Sequence, residues 1–291
     1  MIGVAMHPDS TLVDRVLVHL RGGPAGAPTL CRDVLGLANA PDAVSDRLAV
    51  ALLGADPRVR QLPDGRWAMV PEAQGSPLLE ECAFAVVDVE TTGMRPNDTD
   101  RITEIAIAVV CGGRSEVVFQ SLVNPGRPIP PAVCAITQIT DAMVRDAPTF
   151  ADIADQVVAV LAGRVFVAHN ARFDWGFVSA ELRRARALTL DGPRLCTVRL
   201  ARRLVRNVRS CGLDNLSRVF GLDNEARHRA AGDAKVTAEL LRRLLVLARD
   251  DGARTLQDLA AIETRSSNAG RRKRRATPSE PKADSCPEET T

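Results

Sequence analysis

Asp88 and Glu90 stand two residues apart at the end of an apolar run, residues 83–90, that reads as a buried strand. Side chains alternate along a strand, so the two carboxylates project to the same side. Acids so close repel each other, and both stay ionised only where a cation or several donors compensate them. A hard divalent ion such as Mg2+ suits an oxygen-rich setting of this kind; the alternative is a polar strand end facing water. Thr91, Thr92 and Gly93 follow at once, a turn whose backbone can approach a ligand closely. Asp174 lies about one turn into a helix entered from a strand, with Asn170 as the expected N-cap. There it sits at the sheet edge where the strand ends, although an acid at that place also serves the helix dipole without any metal. His228 and Asp233, five residues apart, fall in a loop and in the first turns of the last long helix. A histidine beside a metal cluster can take a proton from water near neutral pH, whereas an exposed loop histidine often does nothing. His169 reads as structural, and Phe173 and Trp175 as core.

The elements that must position these groups are an α/β set. Residues 79–250 place three strands first, near 83–90, 101–110 and 114–123, the last two joined as a hairpin. A Pro-rich loop follows at 124–131, then a helix at 149–162 and a fourth strand ending at His169. Helices are predicted at 171–187, 197–206, 213–220 and 231–249, which makes a sheet covered by helices. Residues 1–70 read as a small helical domain. Ser10 caps a helix with Leu12, Val13, Val16, Leu17 and Leu20 inward, and Thr29 caps a second with Leu30, Val34 and Leu37 inward. Pro41 opens a third with Val44, Leu48, Ala51 and Leu52 inward, and a hairpin turns at Pro63-Asp64-Gly65. Three helices and a hairpin resemble a winged-helix module, yet seven arginines against eight acids in residues 1–78 suit a protein contact or a spacer as well as DNA. Residues 71–78 are the expected linker, 251–263 a short helical extension, and 264–291 a disordered tail with a basic run at 271–275.

The chain has 291 residues, 45% hydrophobic and 25% charged, which excludes wholesale disorder. No apolar run is long enough to span a membrane, and the first residues lack the pattern of a secretory signal. Seven scattered cysteines with no C-x-x-C pair argue against a disulfide framework or a zinc site and fit the cytoplasm. Aromatics total 3%, which argues against broad stacking platforms for single strands. Between Arg183 and Arg209 there are nine arginines and one acid, Asp191. This stretch is a candidate phosphate-facing stripe, or ordinary exposed arginine in an Arg-rich chain.

Taken in order, V-V-D-V-E-T-T-G, H-N-A-R-F-D and H-R-A-A-G-D-A closely resemble the three motifs of the DEDDh (DnaQ-like) 3′–5′ exonuclease family, to which the proofreading subunit of bacterial DNA polymerase III belongs. The resemblance covers residues 82–248, including R-I-T-E-I, V-N-P-G-R-P-I-P, C-T-V-R-L-A-R-R-L and G-L-D-N-L. It implies a ribonuclease-H-like fold, a mixed five-stranded sheet flanked by helices, with residues 193–196 as the fifth strand. It further implies hydrolysis with two divalent cations, Mg2+ or Mn2+, held by Asp88, Glu90, Asp174 and Asp233. His228 would be the general base, and Thr91, Thr92, Met94 and Asn170 would lie beside the terminal nucleotide. The implied partner is DNA with single-stranded or frayed 3′ ends, with a polymerase or repair complex. An RNA 3′-exonuclease and a non-catalytic scaffold are the alternatives. The sequence departs from many relatives at Gln138, where they have Gly, and it shows no convincing clamp-binding segment after residue 250.

Overall fold

In a computed structural model, which describes residues 3–70, 75–96, 99–223 and 228–265, the chain opens with a strand, β1 (Ala5–Pro8). Three helices and a hairpin follow: α1 (Thr11–Leu20), α2 (Ala27–Asp33), α3 (Asp42–Leu53), β2 (Val59–Gln61) and β3 (Trp67–Met69). The main region then runs β4 (Phe84–Thr91), β5 (Ile102–Cys111), β6 (Arg114–Leu122), α4 (Pro131–Thr137), α5 (Asp141–Val144), α6 (Phe150–Leu161), β7 (Val165–Ala168) and α7 (Ala171–Arg186). It ends with β8 (Leu188–Asp191), β9 (Arg194–Cys196), α8 (Thr197–Leu204), α9 (Leu213–Phe220), α10 (Ala230–Asp250) and α11 (Leu256–Thr264).

The five-stranded sheet has the order β6-β5-β4-β7-β9, antiparallel from β6 to β4 and parallel from β4 to β9. β4 is central because it is apolar on both faces until Asp88, so helices can cover it from either side. One face packs Phe84, Val86, Val110 and Leu195 against α8, α9, α10 and α11. The other packs Val87, Ile105, Ile107 and Phe166 against α6 and α7. Asp88 and Glu90 therefore emerge where the apolar alternation of β4 stops, beside the first turns of α7 and α10. Among the described residues no helix is long and apolar enough to cross a membrane.

The order of the five sheet strands and of α6 to α10 is as expected from the sequence, with β9 as the fifth strand, whereas β8, between α7 and β9, was not expected. The Pro-rich loop leads into two short helices, α4 and α5, stabilised by the small cluster of Ile129, Ile139 and Val144. Gln138 ends α4 in the left-handed conformation, φ 59°. That backbone favours Gly, and the Gln138 side chain recovers one hydrogen bond to the Ala135 carbonyl at 2.9 Å.

The small module differs from expectation in its packing. Ser10 caps α1 as read, accepting from the Val13 N–H. Thr29 lies inside α2, whose N-cap is Gly26 with Pro28 in the first turn, so proline and not threonine sets its start. Pro41 is the N-cap of α3. α3 buries Ser45, Ala49 and Leu53, leaving Val44, Leu48 and Ala51 exposed and Leu52 half-buried; Leu12 and Leu37 are exposed as well. A short helix with apolar residues around its circumference offers two faces, and only its neighbours decide which is covered. β1 was not anticipated. It pairs antiparallel with β8, and Val4 is fixed by backbone hydrogen bonds to Arg164 and Gly163. Glycine is required at Gly192, where a Cβ would lie 2.9 Å from the Val4 Cα. Residues 71–74, most of the tail and its basic run at 271–275 lie outside the described residues.

The left-handed Gln138 gives a test. Gln138→Gly removes the steric cost of that backbone and should raise unfolding free energy by about 0.5–1 kcal/mol in urea titration. Lower stability would contradict the account of this turn.

Candidate metal centre

Three carboxylates meet at the end of β4. Oxygens of Asp88, Glu90 and Asp233 all lie within 4.8 Å of one another. β4 supplies the first two by its alternation, and the first turn of α10 supplies the third. Asp174, in the first turn of α7 and 4% exposed, sits beside this trio: its Oδ1 accepts the Val89 N–H at 3.3 Å, and its charge acts on Asp88. The N–H of His228, at the start of the segment leading into α10, donates to Asp233 Oδ2 at 3.1 Å, and the residue is exposed.

Both site helices are entered through a residue with positive φ. Asn170 precedes α7 at φ 86° and His228 lies just before α10 at φ 57°. Asn170 holds the N-cap position through its carbonyl, which accepts the Phe173 N–H at 2.9 Å, and its side chain makes no cap bond. The expected side-chain cap is therefore absent, because the left-handed backbone turns that side chain away from the helix. Strained backbones of this kind persist where the surroundings over-determine them.

Electrostatics follow from burial of like charges. The Asp88 carboxyl is held well above the usual range, first by burial and then by Asp174, Asp233, Glu90 and Glu104. Glu90 is pushed up to about 7 by burial, Asp233 and Glu104, with Arg229 opposing. Asp174 is pushed up to about 8, chiefly by burial, although its own and the Val89 N–H groups oppose the shift. Such a donor set, all oxygen and short of compensating cations, fits divalent metal ions. His169 Nδ1 meets Thr197 Oγ1 at 2.9 Å, and burial lowers the His169 pKa to about 4.

Glu104 was missed as a site residue. It faces Glu90 across the β4–β5 pair, is 6% exposed, and accepts from the Arg229 guanidinium at 2.7 Å and from the Ala230 N–H at 2.9 Å. It thus ties β5 to the start of α10, fixing the helix that carries Asp233. The available signal was an acid inside an apolar strand, the same signal that marked Asp88.

The turn after β4 is built around Asp100, which accepts from the Arg95 N–H, the Thr92 hydroxyl and Arg127. A Cβ at Gly93 would fall 2.3 Å from the Asp100 carboxylate, so a larger residue there would have to displace that side chain from its hydrogen bonds. The buried Thr91 hydroxyl donates to the Gly93 carbonyl, and the buried Thr92 hydroxyl accepts the Arg101 N–H. Both threonines hold the turn, while Met94 (75% exposed) and Asn170 face outward. Phe173 and Trp175 pack on the core as expected but remain only partly buried. The arginine stretch is not one stripe: Arg183 pairs with Asp9, Arg184 with Glu181, Arg186 with Asp155 and Arg199 with Glu263. Arg202, Arg203, Arg206 and Arg209 are exposed.

The model of the exonuclease family (RNase T) matches residues 85–241, the sheet and the helices that carry all these groups. The chain belongs to that family. It is 40% identical over 200 residues to a DNA polymerase III subunit epsilon-like protein of Rhodobacter capsulatus, covering 66% of this chain and 27% of that protein. It is 36% identical over 179 residues to the 3′–5′ exonuclease DinG of Bacillus subtilis, covering 62% of this chain and 19% of that protein. The chain thus spans less than a third of the length of these relatives. Among solved structures, exonuclease X in complex with 5′-overhanging duplex DNA aligns at TM-score 0.50 and 30% identity, covering 62% of this chain and 99% of that one. The ribonuclease-H-like arrangement expected from the motifs is the fold of this exonuclease domain.

The raised carboxyls predict an unusual pH response. The unfolded chain releases these protons near 3.8 and 4.5, while the folded site keeps them to about 7 and 8. The stability they contribute is complete below the unfolded values and is lost as pH rises through the folded ones. His169 works in the opposite direction, but only below about 6.5. In chelator, the thermal midpoint should therefore fall between pH 6.5 and 8, less steeply in Asp174→Asn, and Mg2+ or Mn2+ at pH 8 should restore it. A wild-type midpoint that is flat over that window, or that falls just as steeply in Asp174→Asn, would contradict this.

Proposed function

We propose that the chain is a metal-dependent 3′–5′ exonuclease that removes nucleoside monophosphates from DNA ends in replication proofreading or repair. The observation that carries this reading is the convergence of Asp88, Glu90 and Asp233, with Asp174 beside them, in a member of the exonuclease family. Two divalent cations, Mg2+ or Mn2+, held by these four acids would polarise the attacking water and neutralise charge on the leaving 3′-oxygen. His228, exposed ahead of α10 and tied to Asp233 through its backbone, would take the proton of that water on a ring nitrogen. Thr91 and Thr92 shape the turn on which the terminal nucleotide rests, and Met94 and Asn170 flank it. Glu104 and Arg229 keep α10, and with it Asp233, in place.

DNA as substrate is supported by the names of the relatives and by the duplex DNA in the exonuclease X complex. Single-stranded or frayed 3′ ends suit an exposed site, a polymerase or repair complex is the corresponding partner, and the cytoplasm is the place. Residues 1–70 serve in this reading as a winged-helix-like contact module. The exposed Val44, Leu48 and Val50 of α3, with Asp42 and Asp46 on the same helix, suit a protein partner better than phosphates.

The test is a nuclease assay on labelled single-stranded and 3′-recessed DNA, with matched RNA strands, in Mg2+ or Mn2+. Stepwise shortening of DNA from the 3′ end is expected, with Asp88→Ala reducing it by at least about a thousandfold. Faster trimming of RNA would move the substrate to RNA. Activity surviving in Asp88→Ala would remove the acidic cluster from the mechanism, and no cleavage of either strand would leave the scaffold reading.

A further inference from the structure

Asp174 reaches the acidic corner from the first turn of α7, so the position of that helix sets where its carboxylate lies. The start of α7 does not fix that position by itself. The bond that Asp174 accepts from the Val89 N–H is 3.3 Å long, past the usual range for N–H···O. The helix is entered through the left-handed Asn170, which makes no side-chain cap. Apolar packing of Phe177, Val178 and Leu182 buries the helix but is non-directional, so it sets the slide along the sheet less sharply than a directional bond does. A directional anchor lies two turns further on. Glu181 stands seven residues after Asp174 and, at 3.6 residues per turn, shares its inward face. The Glu181 side chain is 1% exposed, and Arg101 meets it with both prongs: Nε donates to Oε1 at 2.6 Å and Nη2 to Oε2 at 2.8 Å. A bidentate pair of this kind fixes angle as well as distance. Arg184, also on α7, lies 3.7 Å from Glu181 Oε1 and donates to the Pro96 carbonyl at 2.6 Å. Arg101 is in turn locked to the end of β4. Its carbonyl accepts the Thr92 N–H at 2.9 Å, and its own N–H donates to the Thr92 hydroxyl at 3.0 Å. Thr92 stands two residues after Glu90. The path from the β4 acids to Asp174 thus runs through Thr92, Arg101, Glu181 and two turns of α7. Each non-covalent link in it is a hydrogen bond of 3.0 Å or less.

We propose that the Arg101–Glu181 pair is a positioning device for Asp174. It sets the register of α7 against β4, and so the spacing of Asp174 from Asp88 and Glu90 on which divalent-cation binding depends. The proposal rests on the reading of these acids as a metal centre and deepens it, since both residues act through Asp174. Stability alone does not account for the pair, because well-packed apolar side chains serve a buried position as well as an ion pair does. What the ion pair adds is a fixed register between a strand and a helix that each carry part of the site.

The test uses the full chain and two mild variants. Arg101→Lys keeps a cation beside the buried Glu181 but removes the fork, and Glu181→Gln keeps the shape but removes the charge. Titration calorimetry should show the Mn2+ Kd raised about tenfold in either variant, with the stoichiometry unchanged. The double variant should bind no more weakly than the worse single one, because the two residues form one link. With labelled dT12 at a fixed Mn2+ concentration, kcat should fall about tenfold while KM for the DNA holds. A merely structural pair would lower the thermal midpoint and the fraction of binding-competent protein, and would leave the Kd of that fraction unchanged; this result would overturn the proposal. Losses that add in the double variant, or a raised KM with kcat intact, would overturn it as well. Asp174→Asn separates the two levels. If it weakens Mn2+ binding while Arg101→Lys and Glu181→Gln bind like wild type, the metal centre stands and only the positioning role is wrong. If Asp174→Asn also binds like wild type, Asp174 is not a ligand and the positioning role falls with that reading.

Discussion

Buried carboxylates repel one another, and the fold spends its central strand on bringing them together. β4 is covered on both faces as far as Val87, and Asp88 and Glu90 at its end are half-buried beside one another. α7 and α10 then add Asp174 and Asp233 to the same corner, and every one of the raised protonation values traces to burial first and to neighbouring acids second. Left alone, such a corner stays neutral by holding protons. Divalent cations release those protons and turn a destabilising cluster into a reactive centre. The helices cannot relax away from it, because the Val89 N–H holds Asp174 and Glu104 with Arg229 holds the start of α10.

The surrounding elements read as devices for fixing that corner from several directions. Asp100 gathers the turn after β4 through three donors and packs against Gly93, where a Cβ would push the Asp100 carboxylate aside. Asn170 and His228 turn the chain abruptly into the two site helices, so Asp174 and Asp233 arrive within one turn of the sheet edge. β1 ties the small module to β8 by antiparallel pairing.

Much of this was legible in the sequence where the signal was local. The alternation through Val86, Val87, Asp88, Val89 and Glu90 fixed the strand and the side on which the acids project. The spacing from Asn170 to Asp174 and from His228 to Asp233 placed the other acids at helix starts. The β-rich first half and helical second half of residues 79–250 set the layered fold. What was illegible depended on partners distant in sequence. Nothing near Ala5–Pro8 announces β8, some 180 residues away, and only Gly192 with its close approach to Val4 makes the pairing fit. The covered face of α3 was misread because its apolar residues surround the helix, and α1 and α2 choose Ala49 and Leu53. The arginine stretch looked like one field because Asp9, Glu181, Asp155 and Glu263, which neutralise four of its members, lie outside its span. Glu104 was hidden for the reason that makes it matter: its partners Arg229 and Ala230 are 125 residues or more away.

The central claim is that these acids form a cation site that trades bound protons for metal. Titration calorimetry with Mn2+ at pH 7, repeated in buffers of different ionisation enthalpy, measures that exchange directly. The account predicts saturable binding whose apparent enthalpy changes with the buffer, reporting proton release, and loss of both binding and release in Asp88→Ala. Binding with no proton release, or unaltered binding in Asp88→Ala, would contradict it.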